Sequence, residues 1–225
     1  PRANLRLRRV DWRVLLHGAA AGAVVTDDAE LAACLGLASG LTPSPGPLPA
    51  GEPVALVALA PRLGRDLDAD GVVVVPMGGF GGIARFLEEF GPAGRGLALS
   101  GVVDEAEAAH VLARVAAAGE DPAAVRVCRP DLEAELLRAV GRDGVEAALA
   151  ALGDAASFAR FRGQRAQRDR PWEDQVHRFI GTRAGRKVAA ARALAAAVPL
   201  QRVPAPLARV LQAGAAAEWP ERHGR

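Results

Sequence analysis

Residues Gly71–Met77 read GVVVVPM, and this uninterrupted valine run decides the fold class. A half-exposed strand alternates apolar and polar residues, whereas a continuous β-branched run is typical of a strand buried on both faces. Strands of that kind occur in parallel sheets that helices cover on both sides. The run therefore predicts an α/β protein.

The chain after this run alternates predicted strands with predicted helices, which indicates right-handed crossovers and a parallel sheet. The predicted elements, in order, are helix Ile83–Phe90, strand Leu97–Val103, helix Glu105–Ala118, strand Val125–Cys128, helices Asp131–Val140 and Val145–Leu152, and a mostly helical tail over Phe158–Gly214.

Val54–Asp68 has helical spacing, and regular structure is harder to place before it. Val24–Asp28 predicts a short strand that leads into a helix at Ala29–Leu37. Gly40–Pro53 is dense in proline and glycine and predicts a loop or linker. We therefore expect an irregular N-terminal segment at 1–53, an α/β domain at 54–156 and a basic helical C-terminal extension at 157–225.

Composition excludes several classes of protein. The 225 residues are 50% apolar and 24% charged, with a net charge of +2, which argues against disorder. Apolar runs are too short for a membrane span, which needs about 18 residues or more, and the arginine-rich start argues against export. Cys34 and Cys128 form no metal-spaced motif, so we expect a reduced, cytoplasmic protein.

The charge is distributed unevenly along the chain. From Ser157 to the end there are 14 basic and five acidic residues, a net +9, so the rest of the chain carries −7. A basic tail beside an acidic α/β body favours a polyanionic partner, although a solvated arginine-rich helical face would give the same count.

Acidic residues follow two of the predicted strands, where parallel sheets collect functional groups. Asp104 ends one strand and Glu107 lies one helical turn later, an arrangement that can hold Mg²⁺ or can form a helix capping box. Asp131 and Glu133 follow the next strand and could join Asp104 or only complement a helix dipole. The four histidines have no metal spacing, and no Ser/His/Asp or Cys/His pattern supports a hydrolase of those types.

A glycine-rich loop, Gly78–Gly82, follows the valine strand. Its amides could approach a phosphate at the next helix N-terminus, which would suit a small-molecule enzyme that binds a nucleotide. A tight strand-to-helix turn is the alternative, because the loop has neither the GxGxxG pattern nor a P-loop lysine.

Five segments together resemble the TOPRIM domain of ATP-dependent endonucleases of the OLD (overcoming lysogenization defect) family, and more narrowly the short actinobacterial TOPRIM proteins without an attached ATPase. The resemblance covers about Val54–Leu211. The segments are GVVVVPMGG at 71–79, GGIARFLEEFGP at 81–92, LALSGVVDEAE at 97–107, RVCRPDLEAELLRAVG at 126–141 and FIGTRAGRKVAAARAL at 179–194.

The resemblance implies a TOPRIM-like (Rossmann-like) parallel sheet and Mg²⁺- or Mn²⁺-dependent cleavage of DNA. It implies that Asp104, Glu107, Asp131 and Glu133 bind metal, with Asp104 also catalytic. Lys187, the only lysine among 28 basic residues, would be the catalytic lysine. Under the same interpretation the DNA backbone would be held by Arg178, Arg183, Arg186 and Arg192.

One TOPRIM feature is missing from the expected place. The family's first strand ends in a glutamate followed by glycine, whereas here the corresponding stretch is the proline-rich loop, with Glu52 as its only acid. Asp27 or Asp28 after Val24–Val25 is the alternative. The leading hypothesis is a DNA endonuclease or nickase with Glu52 as a catalytic residue; the second is a degenerate TOPRIM module that binds nucleic acid without cleaving it. The chain has no Walker A motif, so ATP dependence would need a separate ATPase subunit, and a homodimer is a further option.

Overall fold

Four parallel strands form the sheet at the centre of the protein. The structure is a computed structural model that describes residues 13–17, 51–67, 70, 72–76, 82–91, 93–94, 98–183 and 185–213. The strands are β1 (Arg13–His17), β2 (Val72–Pro76), β3 (Ala98–Asp104) and β4 (Val125–Cys128). They lie in the order β2-β1-β3-β4, with every neighbouring pair parallel. The predicted α/β class with a parallel sheet is confirmed.

Nine helices are described around this sheet, and from β2 onward they begin and end within a few residues of the predicted positions. They are α1 (Gly51–Leu59), α2 (Ile83–Phe90), α3 (Glu105–Ala117), α4 (Leu132–Val140), α5 (Arg142–Ala151), α6 (Ala155–Arg162), α7 (Trp172–Ile180), α8 (Arg186–Ala197) and α9 (Ala205–Ala213).

The N-terminal segment departs from the prediction for 1–53. Strand β1 lies inside it and pairs on both sides, with Arg13 opposite Val72 of β2 and opposite Ala98 of β3. Helix α1 also begins at Gly51, within the predicted loop, since a proline is tolerated in the first turn of a helix. The segment therefore supplies an inner strand of the sheet. The predicted strand at Val24–Asp28 and helix at Ala29–Leu37 lie outside the described residues.

Two hydrophobic clusters cover the two faces of the sheet, because successive strand residues point to opposite faces. Val102 of β3 is fully buried in one cluster with α1, α4 and α5, and its neighbour Val103 is buried in the other with α2 and α3. The sheet is thus covered on both faces, as the valine run of β2 predicts.

The C-terminal helices belong to the same core. Leu194 of α8 and Leu207 and Leu211 of α9 are buried in the cluster that contains Val102, and α8 packs against α1. The region predicted as a basic helical extension is therefore helical through Ala213, but it packs on the sheet. No described helix is long and apolar enough to cross a membrane.

The environment of Arg186 differs from the one expected for a residue that binds DNA. Its side chain is only 7% exposed, and its guanidinium donates to both carboxylate oxygens of Asp154, at 3.0 and 3.1 Å. It also donates to Thr182 Oγ1 and stacks 4.0 Å from the Phe179 ring centroid. The assignment of Arg186 to the DNA-binding surface is wrong, because these internal partners occupy it.

We expect the substitution Arg186→Ala to lower the free energy of unfolding by about 3 kcal/mol, because it leaves the partly buried Asp154 carboxylate without its ionic partner. Urea unfolding followed by circular dichroism measures this. The matched control is Arg183→Ala, an exposed arginine in the same turn, for which we expect a change within about 0.5 kcal/mol. Equal effects of the two substitutions would contradict the structural role of Arg186.

Candidate metal centre

The strand order places a crevice at the carboxyl ends of β1 and β3. The chain passes from β1 to β2 on one side and then returns to β3 on the other side of β1. In open α/β sheets ligands bind at such a reversal point, outside the carboxyl ends of the strands. Asp104 is the last residue of β3, so it lies at this position.

Asp104 directs its carboxylate toward the neighbouring helix. Its Oδ1 accepts a hydrogen bond from the N–H of Leu132, the first residue of α4, at 3.2 Å. No side-chain capping bond to its own helix α3 is seen among the described residues. Burial, reinforced by the negative charge of Glu133, raises the pKa of Asp104 to about 6. The capping alternative for Asp104 is therefore not what the structure shows.

Asp131 has both roles that the sequence left open. Its Oδ1 accepts from the N–H of Ala134 at 2.8 Å and so caps α4, while its Oδ2 lies 2.9 Å from Nε2 of His177. A residue that caps a helix with one oxygen thus presents the other to the site.

Glu133 and Lys187 form the most buried ion pair at this edge of the sheet. Lys187 Nζ lies 3.1 Å from Glu133 Oε1, and the Glu133 side chain is 5% exposed against 37% for Lys187. Lys187 also interacts electrostatically with Asp104, Glu107 and Asp131: its charge opposes the rise in the pKa of Asp104 and of Glu107 and contributes to the lowered pKa of Asp131. The structure therefore brings the only lysine of the chain to the predicted carboxylates.

Glu107 completes the acidic side of the cluster. Its Oε2 is shielded from solvent and has no hydrogen-bond partner in the part of the chain that the structure describes. Burial raises the pKa of Glu107, and the charge of Lys187 opposes that rise. The neighbouring Glu105 is not part of this group, since it pairs with Arg129.

His177 is the member of the site that the sequence analysis missed. One donor atom from each of Asp131, Glu133 and His177 lies within 4.8 Å of the others. His177 comes from α7, 46 positions after Asp131, and no spacing rule relates helices that meet only in the folded chain.

The prediction for Glu52 needs correction. Glu52 lies in the first turn of α1 and does not end a strand. The strand that opens the sheet is β1, which ends at His17 with Gly18 next in sequence, and His17 is in register with Val102, two residues before Asp104. A histidine thus holds the strand-end position where the TOPRIM pattern has glutamate. Asp27, Asp28 and Gly78–Gly81 lie outside the described residues.

Three of the arginines predicted to bind DNA are exposed. They are Arg178 on α7, Arg183 in the following turn and Arg192 in the middle of α8, in contrast to the buried Arg186.

The His177–Asp131 pair should make stability depend on pH. The hydrogen bond to Asp131 raises the pKa of His177 despite burial of the ring. Burial acts to raise the pKa of Asp131, but the hydrogen bonds from His177 and Ala134 lower it overall. A raised histidine pKa stabilises the fold below the unfolded value of about 6.5, and a lowered aspartate pKa stabilises it above about 3.9.

The substitution His177→Gln should therefore cost most stability near pH 5, where both groups are charged. The cost should shrink as the pH rises through the pKa of His177 and as it falls through the pKa of Asp131. Urea unfolding of both proteins at pH 5 and pH 9 measures the difference. A cost that is the same at the two pH values would contradict a charged pair.

Comparison with known proteins identifies the fold. Neither a protein-family model nor a curated protein sequence matches the chain. Among solved structures, it is similar to the C-terminal region of the Burkholderia pseudomallei OLD protein, with a TM-score of 0.59 and 16% identity over 91% of this chain and 97% of that one. It is also similar to the C-terminal region of the Xanthomonas campestris pv. campestris OLD protein, with a TM-score of 0.56 and 21% identity over 90% and 93%. The predicted resemblance is confirmed for the fold: this chain has the TOPRIM-type fold of the C-terminal region of OLD proteins.

Proposed function

We propose that the protein binds a divalent cation at the cluster of Asp104, Glu107, Asp131 and Glu133 and hydrolyses phosphodiester bonds of DNA. The observation that carries the proposal is the ion pair of Lys187 with Glu133, whose carboxylate lies within 4.8 Å of donor atoms of Asp131 and His177 and contributes to the raised pKa of Asp104. The strand order supports the same interpretation, because ligands of open α/β sheets bind outside the carboxyl ends of the strands where the order reverses.

The residues present fit a hard divalent ion. Partial burial, reinforced by the negative charge of Glu133, raises the pKa of Asp104 to about 6, and a bound cation would favour its ionised form. The solvent-shielded Oε2 of Glu107 lacks a hydrogen-bond partner among the described residues, so it is available as a ligand. Carboxylate oxygens are the ligands that Mg²⁺ and Mn²⁺ prefer in proteins.

Asp104 and Lys187 would have different roles in phosphodiester hydrolysis. A bound divalent ion supplies charge stabilisation on the phosphate and a more acidic water. Asp104 is ionised above about pH 6 and can accept a proton at neutral pH. The ammonium group of Lys187, already held beside the carboxylates by Glu133, can donate to a phosphate oxygen as negative charge develops on it.

DNA is the polymer that we propose as substrate. Arg178, Arg183 and Arg192 are exposed, and contacts of arginine with the DNA backbone bind phosphates without reading sequence.

The location in the cytoplasm stays a prediction, as do the two expected partners, a separate ATPase subunit and a second copy of the chain.

A second candidate function is DNA binding without cleavage. Its support is the end of β1, where the sequence has His17 and not a glutamate before Gly18. Lys187 pairs with Glu133, and His177 with Asp131, so both carboxylates have partners within the protein.

Nicking of supercoiled plasmid with Mg²⁺ or Mn²⁺ separates the two functions. We expect the wild-type protein to nick in a metal-dependent way and Lys187→Ala and Asp104→Asn each to lose at least about 100-fold in rate, a loss typical for removal of a group that stabilises charge in the transition state. The matched control is Asp143→Asn, an exposed acid in the first turn of α5, which should nick normally.

Two results would contradict cleavage by this site. Nicking that survives in both Lys187→Ala and Asp104→Asn would indicate a contaminating nuclease or another site. Absence of nicking in the wild-type protein, with DNA binding retained, would establish the second candidate function.

DNA binding should depend steeply on salt, because phosphate contacts release counterions. The combined change of Arg178, Arg183 and Arg192 to alanine should reduce the slope of log K against log salt by about 2–3, since each phosphate contact contributes about 0.9. Fluorescence anisotropy with a labelled duplex over a range of salt concentrations measures this slope. The control is Arg142→Ala, an exposed arginine that pairs with Glu146, and an equal loss of slope in that variant would contradict the assigned surface.

A further inference from the structure

We propose that His177 is a nitrogen ligand of the cation site, so that the site binds Mn²⁺ and Co²⁺ in preference to Mg²⁺. This inference rests on the metal site of the proposed function and adds a determinant of metal specificity. A set of carboxylates alone would serve Mg²⁺, whereas imidazole is a ligand of transition metals.

The geometry allows one ion to reach all three donors. Donor atoms of Asp131, Glu133 and His177 lie within 4.8 Å of one another. Metal–ligand bonds of about 2.1 Å separate two ligands of one ion by about 3–4 Å. Closing the remaining gap requires less than about 1 Å of side-chain movement on each residue.

Core packing holds His177 at this position. On α7, the flanking Val176, Phe179 and Ile180 are buried, and the Phe179 ring packs 5.1 Å from that of Phe158. The helix therefore cannot rotate without exposing its apolar face. A ligand on a packed helix is more precisely placed than a ligand on a loop.

The other two donors are also fixed before any ion arrives. Glu133 is buried at 5% exposure, and Asp131 is held by the N–H of Ala134. The hydrogen bond between Asp131 Oδ2 and His177 Nε2 keeps the ring nitrogen turned toward the carboxylates. An arriving ion would take the place of the proton that this bond shares.

The alternative role of His177 is that of a counter-ion that only stabilises Asp131. A counter-ion affects every divalent ion alike, because it changes charge and not ligand type. A ligand affects those ions that accept nitrogen and leaves Mg²⁺ nearly unchanged. The ratio of affinities therefore distinguishes the two roles.

Isothermal titration of the full chain, stripped of metal, with CoCl₂, MnCl₂ and MgCl₂ tests the proposal. The variants are His177→Asn, His177→Gln and the control His110→Asn, which removes an exposed imidazole on α3. We expect the wild type and His110→Asn to bind Co²⁺ at least about tenfold more tightly than Mg²⁺. Both His177 variants should lose most of this preference while their Mg²⁺ affinity changes less than about threefold.

The visible absorption of bound Co²⁺ gives a second readout, because its bands shift when a nitrogen ligand is lost. Far-ultraviolet circular dichroism verifies that each variant is folded, and two substitutions at position 177 guard against loss of one of them. A Co²⁺ to Mg²⁺ affinity ratio that stays the same in a folded His177 variant overturns the inference.

The failure of this inference and that of the proposed function are distinguishable. Metal-dependent nicking with an unchanged affinity ratio in the His177 variants would overturn the role of His177 and leave the nuclease function standing. Co²⁺ preference that depends on His177, without any nicking, would support the ligand and overturn the nuclease. No binding of any divalent ion to the wild type would overturn both.

Discussion

The buried ion pair between Glu133 and Lys187 is the interaction on which the site depends. A carboxylate that is 95% buried must be paired, because an isolated buried charge is very costly. The pair joins the first turn of α4 to the first turn of α8, where a lysine opposes the helix dipole. The carboxylates compensate for that unfavourable placement. Gly185, with φ of 81°, and the buried Arg186 fix the direction in which α8 begins. They thereby position Lys187 next to Glu133.

Arginine in this chain serves the fold as much as the surface. Arg62 donates to the carbonyls of Ala195 and Val198 at the end of α8, Arg65 donates to the carbonyl of Leu211 and Arg202 to that of Arg138. These side chains satisfy carbonyl groups that helix ends leave without partners. Of the arginines with internal partners, Arg186 and Arg202 belong to the C-terminal segment, so its +9 charge overstates the surface available to a polyanion.

Local pattern explains what could be predicted from the sequence. The apolar runs of β2, β3 and β4 and the periodic patterns of the helices between them are formed by residues close together in sequence. The positions of these elements could therefore be predicted from the sequence. β1 was missed because Val14-Leu15-Leu16 is too short an apolar run to stand out, and its pairing with β2 and β3 is formed by residues far along the chain. His177 was missed for the same reason. Lys187 could be predicted as a site residue because it is the only lysine of the chain and because the TOPRIM resemblance assigns it the basic position of that pattern.

The sheet does not depend on which side chain ends β1, where the sequence has His17. The backbone of β1 forms the ladder with β2 and β3, which is independent of the side chain that follows its last pair. A histidine in place of glutamate at the end of this strand is therefore compatible with the sheet. The metal preference that we propose rests on His177 of α7 instead, whose imidazole lies beside Asp131 and Glu133. The pair of Glu133 and Lys187 joins α4 to α8 at the same edge of the sheet and does not depend on which residue ends β1.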